Sequence, residues 1–336
     1  VGSWATAGAR WPSRARPASG APGTEDPSDA TAVPSQVKAL APLYDSAGVF
    51  TEQLEAVSRD GTRVPYYVVG RPGPADRPVL IYAYGGFGIP VLPTYTGTVG
   101  AAWLERGGVY VEANIRGGGE FGPAWSQTAR KGGRVRSYED LEAVADDLFR
   151  RGLAVRGRLG LLGRSNGGLL VGNMLARLPG RFAALVGEVP LLDMQIYHRL
   201  LAGASWLAEY GDPDVPEDWE QLRGVSPYHL VADSDRSGSP PYPPVLFTTS
   251  TRDDRVHPGH ARKMVRRLQG LQPGRSSGAY LFESPEGGHG GATSIAERAF
   301  LRTLEFEFLW RCLSGATSDS VATSSEQVRL STGSRG

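Results

Sequence analysis

The sequence is short of cysteine and of uncompensated charge, and each shortage excludes a class of protein. Cys312 is the only cysteine among 336 residues, so no internal disulfide can form and a small disulfide-stabilised secreted fold is excluded. Thirty-six basic residues balance 35 acidic ones, which leaves a net charge of +1. This balance gives no electrostatic reason to expect nucleic acid or a membrane surface as a partner.

Long hydrophobic runs are also missing. No apolar stretch approaches the ~20 residues that a membrane-spanning helix needs, and residues 1–30 lack the apolar core of a secretory signal. Cys312 lies in an apolar helical stretch, where we expect it to be a small buried hydrophobe. These features suit a reducing compartment, and we therefore expect a cytoplasmic location.

The two ends of the chain lack the apolar periodicity of a folded domain. Residues 1–37 are rich in Ala, Pro, Gly, Ser and Arg, and the stretch from Gly315 onward is polar and rich in Ser and Thr. Such compositions bury too little apolar surface to fold. We expect a disordered or linker-like segment over residues 1–45, one folded domain over 46–314 and a disordered tail over 315–336.

Between these ends, apolar runs alternate with helical patterns. Strands are predicted near residues 79, 109, 159, 184, 245 and 279, and their alternation with helices is typical of a doubly wound, mainly parallel α/β sheet covered on both faces. Ahead of them, the Asp60-Gly61 turn joins two predicted strands, Glu52–Val57 and Arg63–Val69. A helix is predicted over Ser137–Arg151, with a start at Ser137 that resembles a capping box.

A sharp turn between a strand and a helix carries the first sign of chemistry. The sequence Gly163-Arg164-Ser165-Asn166-Gly167-Gly168 follows the apolar run Leu159–Leu162 and precedes the helical pattern Leu169–Leu178. This G-x-S-x-G pattern is typical of a nucleophile elbow, in which a serine stands above the sheet within reach of a base. In a chain with 45 glycines, the pattern taken alone also fits a plain strand-to-helix turn.

A serine nucleophile needs an acid and a histidine, which follow it in the order Ser, Asp, His in this architecture. The buried-strand pattern Val245–Ser250 leads into the polar loop Thr251–Arg255, which holds two adjacent aspartates. Further on, Ala279–Glu283 reads as a strand and opens onto Gly287-Gly288-His289-Gly290-Gly291. Both loops would emerge at the carboxyl edge of the sheet, beside the elbow.

Only one of the five histidines has this setting. His198 and His229 lie between the elbow and the acidic loop, where an excursion over the site is expected, and His257 and His260 flank Pro258 at a helix start. A histidine chosen at random is more often a surface or core residue. The end of a strand, the flanking glycines and the required chain order select His289 as the candidate base.

Four separated motifs distinguish the chain from a generic esterase, which shares only the elbow. They are Tyr84-Gly85-Gly86-Phe87, Ala113-Asn114-Ile115-Arg116-Gly117-Gly118-Gly119-Glu120-Phe121-Gly122, the elbow extended to Leu170, and Asp253-Asp254-Arg255-Val256 followed by Gly288-His289-Gly290. Together they resemble the catalytic domain of the prolyl oligopeptidase family of serine peptidases. The resemblance runs from about Glu52 to Leu313 and implies an α/β-hydrolase fold over residues 46–314.

The resemblance implies Ser165 as the nucleophile, His289 as the general base and Asp253 as the residue that orients the imidazole. Ser165 Oγ would attack the scissile carbonyl while His289 accepts its proton and later returns it to the leaving amine. Spacing alone leaves Asp254 open as the acid, and the family match favours Asp253. The resemblance implies no metal and no organic cofactor.

The resemblance also implies two donors for the oxyanion that forms on the substrate carbonyl. They are the backbone N–H of Asn166 and the hydroxyl of Tyr84, which a strand over Val79–Tyr84 would deliver to the carboxyl edge. Taken alone, Tyr84 also fits a core aromatic residue.

For the substrate, the resemblance implies that the Arg255 guanidinium holds a peptide carbonyl. Phe87, Trp206 and Tyr210 would line the pocket for the residue before the scissile bond, where a flat indole face suits a proline ring. A core or surface position is the alternative for each of these aromatic residues.

Full-length members of the family carry a seven-bladed propeller before this domain, and nothing before Thr51 resembles a blade. Its absence would open the site and expose an apolar face. We expect a serine peptidase of short peptides, with cleavage after proline as one option. A carboxylesterase or acyl-amino-acid hydrolase would use the same triad. An inactive fragment is the third option, although it would have no physical need of the triad residues and both oxyanion donors.

Overall fold

The computed structural model of the protein describes residues 41–233, 241–271, 278–290 and 292–315. The segments predicted to be disordered therefore lie outside the described residues, apart from residues 41–45 and Gly315. Tyr44 is buried and stacks on Tyr95 with ring centroids 5.6 Å apart. Among the described residues, packing thus begins at Tyr44, slightly before residue 46.

One eight-stranded sheet forms the centre of the described part. Its strands are β1 (Phe50–Val57), β2 (Arg63–Gly70), β3 (Val79–Ala83), β4 (Val109–Ala113), β5 (Leu159–Arg164), β6 (Ala184–Glu188), β7 (Val245–Ser250) and β8 (Ala279–Ser284). They lie in the order β1-β2-β4-β3-β5-β6-β7-β8. The hairpin β1–β2 and the pair β2–β4 are antiparallel, and all other pairs are parallel. The predicted hairpin and mainly parallel sheet are confirmed.

Helices follow the strands. The α-helices are α1 (Gly97–Val99), α2 (Pro123–Gln127), α3 (Val135–Arg150), α4 (Asn166–Arg177), α5 (Leu207–Tyr210), α6 (Pro216–Arg223), α7 (Pro227–Asp233), α8 (Gly259–Leu271) and α9 (Ile295–Leu313). Residues 100–104 form a π-helical turn, and residues 131–133, 197–199 and 201–206 form 3₁₀ turns. A bilayer-crossing helix is absent from the described ranges, because none combines the required length with the required apolar composition.

Alternation along the strands gives the sheet two apolar faces. In β3, Val79 and Ile81 belong to one core with α3, α4 and α8, whereas Leu80 belongs to a second core with Trp103 and with Leu309 of α9. Period-two alternation thus lets one strand pack against helices on both sides. The carboxyl edge of the sheet remains for loops, and these loops carry the candidate site residues.

Two side chains differ from their predicted positions. The helix predicted to start at Ser137 begins at Val135 without a side-chain cap. The Ser137 hydroxyl instead donates to the Arg116 carbonyl at 2.6 Å, because both residues are buried and a buried carbonyl needs a donor. Cys312 is only partly buried beside the second core, and this burial raises the pKa of its thiol.

A buried ion pair fixes the loop after β4. The Arg116 guanidinium bonds both oxygens of Asp140 on α3, at 2.6 and 2.9 Å, and Asp140 is fully buried. We predict that Asp140→Asn lowers the free energy of unfolding by about 3 kcal/mol, because it removes the buried one of the two carboxylates that balance the charge of the Arg116 guanidinium. Urea denaturation checks this. Asp60→Asn is the control, since Asp60 binds the same guanidinium but is 42% exposed, and equal losses from both changes would contradict the prediction.

Candidate active site

Ser165 lies in a strained turn between β5 and α4, with φ 56° and ψ −114°. A non-glycine residue adopts positive φ only where the surrounding structure enforces it. The two flanking glycines are sterically required. A Cβ at Gly163 would overlap the Gly167 carbonyl, and one at Gly167 would lie 2.8 Å from the Ala83 carbonyl oxygen. The sequence therefore folds locally into an elbow that presents the serine hydroxyl above the sheet.

The loops after β7 and β8 bring an acid and a histidine to this serine. His289 Nε2 lies 3.2 Å from Ser165 Oγ. On the other side of the ring, His289 Nδ1 lies 2.9 Å from Asp253 Oδ2 and 3.1 Å from Oδ1. Asp254 is exposed instead. Of the two adjacent aspartates, the structure thus brings Asp253 into a continuous hydrogen-bonded line with His289 and Ser165.

The surroundings of Asp253 keep it ionised. Burial by itself would raise the pKa of this carboxyl, but the hydrogen bond from His289 and the backbone N–H groups of Arg255 and Val256 lower it overall. Those N–H groups donate to Oδ1 at 2.9 and 2.8 Å. An ionised Asp253 accepts a hydrogen bond from the Nδ1–H of His289, and this tautomer places the lone pair of the ring on Nε2, facing Ser165.

Two groups that can donate to a substrate oxygen stand beside Ser165. Burial raises the pKa of the Tyr84 phenol, and the nearby positive charge of Arg255 only partly offsets this, so Tyr84 stays protonated and can donate. The Asn166 N–H lies in the first turn of α4, where a helix offers no internal acceptor. The Asn166 side chain connects Tyr84 with Tyr210, because it donates to the Tyr84 carbonyl at 2.6 Å and accepts from the Tyr210 hydroxyl at 2.8 Å.

Three aromatic rings from distant parts of the chain meet next to these donors. Phe87 contacts Tyr210 edge to face at 5.6 Å between ring centroids and Trp206 at 6.4 Å. Trp206 and Tyr210 come from the excursion between β6 and β7, and Phe87 comes from the loop after β3. The structure therefore assembles the predicted aromatic set. Arg255 is exposed and borders a cavity that also reaches Ser165.

The sequence did not point to the residues that hold the Phe87 loop. Buried Glu209 accepts from the Phe87 N–H at 2.9 Å and forms ion pairs with Arg134 and, at 3.3 Å, with Arg130. Arg134 also donates to the Gly85 carbonyl at 2.7 Å. Glu209 and Arg134 thus fix the backbone of the loop that carries Phe87. No sequence signal identifies them, because burial of a Glu–Arg pair depends on contacts 75 residues apart.

One group of side chains in the described ranges has the composition of a metal site. The ligand atoms of His198, Asp212 and Asp214 lie within 4.8 Å of one another. Asp214 is exposed and already pairs with Arg199 at 2.6 Å and with His198 at 3.0 Å. We assign no metal to this cluster, because surface acids paired with nearby bases commonly form such groups without an ion.

Comparison with known proteins decides the family. Residues 96–316 match the prolyl oligopeptidase family, which covers well over half of the 336 residues. The chain belongs to the prolyl oligopeptidase family. The resemblance drawn from the four motifs and the α/β-hydrolase fold are both confirmed.

Relatives of this family member are longer than the chain. It is 44% identical over 273 residues to an uncharacterized peptidase of Sinorhizobium fredii, a match that covers 80% of the chain and 36% of that relative. It is 36% identical to the prolyl endopeptidase of Elizabethkingia miricola, over 76% of the chain and 36% of that enzyme. The chain thus spans little more than a third of the length of these relatives.

Solved structures give the same relation. The structure of a post-proline cleaving enzyme from Rickettsia typhi superposes with a TM-score of 0.74 at 36% identity, over 82% of this chain and 39% of that chain. Prolyl oligopeptidase B from Galerina marginata, bound to a 35mer substrate, gives a TM-score of 0.75 at 29% identity over 80% of this chain. This prolyl oligopeptidase family member therefore shares with both structures a part that contains the sheet and its site.

Proposed function

We propose that this domain, over residues 46–314, is a serine peptidase that hydrolyses short peptides through Ser165, His289 and Asp253. The observation that carries the proposal is the hydrogen-bonded line from Asp253 through His289 to a serine held on a strained elbow. An esterase would use the same line, and the family membership favours peptides. No metal or organic cofactor enters the proposed chemistry.

The proposed reaction proceeds through an acyl-enzyme. Ser165 Oγ attacks the scissile carbonyl as His289 Nε2 takes its proton, and the ionised Asp253 stabilises the imidazolium that forms. His289 then gives this proton to the leaving amine as the C–N bond breaks. A water molecule attacks the acyl-enzyme with His289 again as base, which releases the acid product and restores the Ser165 hydroxyl.

Tyr84 and Asn166 are the proposed oxyanion donors, because one hydroxyl and one free backbone N–H converge beside Ser165. We predict that Tyr84→Phe lowers kcat about 100-fold and changes KM little, since the lost hydrogen bond strengthens only as the oxyanion forms. Steady-state kinetics with a peptide anilide check this.

Tyr138→Phe is the matched control for Tyr84→Phe. It also removes a phenol hydroxyl from a buried tyrosine, but that hydroxyl has no hydrogen-bond partner among the described residues. We expect wild-type kcat for this control. A loss in Tyr84→Phe that is no larger than the loss in Tyr138→Phe would remove Tyr84 from the oxyanion hole.

Phe87, Trp206 and Tyr210 form the proposed pocket for the residue before the scissile bond, and Arg255 the proposed clamp on a peptide carbonyl. The three aromatic rings pack edge to face and offer an apolar surface, which suits proline. The Elizabethkingia relative is a prolyl endopeptidase and the Rickettsia enzyme is described as post-proline cleaving, which supports the same preference here.

A panel of peptides that differ only at the residue before the scissile bond tests the proposed function. We expect proline to exceed alanine at least 10-fold in kcat/KM, since each lost methylene contact in an apolar pocket is worth roughly 1 kcal/mol. Trp206→Ala should reduce this ratio. Rapid turnover of simple esters with none of peptides would replace the peptidase by the esterase alternative, and no turnover of either would leave an inert domain.

Exposed apolar side chains occur in the segments that follow three strands of the sheet. Ile89 and Leu92 follow β3, Phe121 follows β4 and Leu201 follows β6, and each is at least 49% exposed. They support the expectation that an apolar face lies open at this edge of the domain. The cytoplasmic location stays a prediction from the sequence, which cell fractionation would test.

A further inference from the structure

A second compartment adjoins Ser165. A cavity of about 890 Å³ reaches from Ser165 and His289 across the carboxyl ends of β3 and β4, and the loop over residues 89–99 forms its outer wall. None of the rings of Phe87, Trp206 and Tyr210 borders it. A peptide bound at Ser165 therefore has room in this cavity for a group other than the one in the aromatic pocket.

Glu112 on β4 lies on the floor of this cavity. Its residue is only 4% exposed, and its register neighbours are Tyr82 on β3 and Tyr67 on β2. Its Oε2 atom has no hydrogen-bond partner among the described residues. Burial raises the pKa of this carboxyl to about 7, opposed by a hydrogen bond with Tyr110 and by no basic side chain.

The other acidic residue that lines the cavity, Glu188, already has two basic partners. Glu188 accepts from Arg164 at 2.9 Å and forms a second ion pair with Arg302. Burying a carboxylate without a partner is unfavourable, and a charge-assisted hydrogen bond from an ammonium or guanidinium group would offset that cost. Glu112 thus differs from Glu188 in lacking the cation that a ligand can supply.

We propose that Glu112 binds a positively charged group of the substrate, a lysine or arginine side chain or a free amino terminus, next to the bond that Ser165 cleaves. This inference rests on the proposed function, because the peptide must lie with its scissile carbonyl at Ser165. It predicts a preference for basic peptides that the uncharged aromatic pocket does not produce.

Matched peptides test the preference. Each contains proline and the residue after the scissile bond, and carries lysine or Nε-acetyl-lysine either directly before or directly after these two residues. We expect lysine to exceed acetyl-lysine at least 10-fold in kcat/KM at one of these positions in the wild type, and Glu112→Gln to bring the ratio near one. Any effect of the substitution on the triad changes kcat/KM for both peptides equally and therefore cancels in their ratio. Glu220→Gln, which removes an exposed charge on α6 outside the cavity, should preserve it. A wild-type ratio near one at every position, with normal turnover, overturns the inference and leaves the proposed function intact.

Binding separates the two proposals if turnover is absent. Ser165→Ala protein retains the cavity and does not cleave, so calorimetry can compare its affinity for the lysine and acetyl-lysine peptides. We expect at least 10-fold tighter binding of lysine, lost in Ser165→Ala combined with Glu112→Gln. Equal affinities in a protein with a cooperative melting transition overturn the role of Glu112.

A different observation concerns Arg164, the residue before the nucleophile. Its guanidinium donates to the backbone carbonyl of His289 and, at 2.9 Å, to Glu188. Glu188 also pairs with Arg302, and Arg302 pairs with Glu305 at 2.9 Å. The loop that carries the histidine is thereby tied to a buried ion cluster on the sheet.

We infer that Arg164 is a positioning residue that holds His289 Nε2 in line with Ser165 Oγ. Gly288 and Gly290 flank the histidine, and glycine neighbours restrict a backbone little, so an external contact has to fix the loop. This inference rests on the proposed function, because the effect of replacing Arg164 is measured as a change in kcat relative to the wild type.

Arg164→Ala is expected to lower kcat roughly 100-fold with KM changed less than about 3-fold, because small displacements of a reacting group cost about this much. Guanidinium ion should restore part of the loss, and Arg164→Lys should retain part of the activity. Arg302→Met is the control, since Arg302 belongs to the same cluster but its hydrogen bonds go to Glu188 and Glu305 and not to the His289 carbonyl. An equal kcat loss in Arg302→Met, or no rescue by guanidinium or lysine, reduces Arg164 to a structural role.

Discussion

Alanine at Ser165 or at His289 is expected to lower kcat for peptide hydrolysis by about a million-fold, and the double variant is expected to lose no more than either single one. Without Ser165 there is no acyl acceptor, and without His289 no base takes the proton from the Ser165 hydroxyl. The 3.2 Å contact between Oγ and Nε2 makes the two side chains one functional unit. Steady-state kinetics of the three variants with a proline anilide measure the effect.

His257→Ala is the control for this series. His257 lies near the acidic loop, but its Nδ1 accepts from the Gly259 N–H at 3.0 Å at the start of α8. We expect its kcat within a few-fold of the wild type. Losses that add in the double variant would mean that Ser165 and His289 act in separate steps, which contradicts the proposed mechanism.

Replacing Asp253 by Asn is expected to lower kcat about 10,000-fold, whereas Asp254→Asn should change it less than about 3-fold. An amide at 253 can donate to Nδ1, so the imidazole would carry its proton on Nε2 and could no longer accept one from Ser165. Asp254 is exposed, and His289 Nδ1 hydrogen-bonds to Asp253. The two changes are chemically identical and adjacent in the chain, so their difference measures the position alone.

Retained far-ultraviolet circular dichroism and melting behaviour should accompany the Asp253→Asn loss, because Asn still accepts from the Arg255 and Val256 N–H groups. A larger loss in Asp254→Asn than in Asp253→Asn would transfer the orienting role to the second aspartate. Similar losses in both would indicate that the loop, rather than one carboxylate, orients the histidine.

Much of this arrangement could be predicted because it depends on local sequence. The elbow around Ser165 needs glycine at 163 because a Cβ there would overlap the Gly167 carbonyl, only four residues along the chain. The strand patterns before Asp253 and His289 indicated where those loops emerge, because parallel strands share a carboxyl edge. The choice between Asp253 and Asp254 came from the family motif, since spacing alone treats the two equally.

The polar residues beneath the site could not be predicted. Glu112, Arg164 and Glu209 read as ordinary charged positions, and their burial depends on which helices and loops cover them in three dimensions. Glu209, for example, acquires its partners from residues 87 and 134. The predicted start of α3 was wrong for a related reason, because the Ser137 hydroxyl donates to the Arg116 carbonyl instead of capping the helix.

Labelling of the purified chain by a fluorophosphonate probe tests the central claim most directly. The account predicts one modified residue, Ser165, identified by peptide mass analysis, with labelling abolished in Ser165→Ala and strongly reduced in His289→Ala. Such a result would show that the line from Asp253 through His289 activates the serine in this chain. Absence of labelling in a protein with a cooperative melting transition, or modification of another residue, would contradict the account.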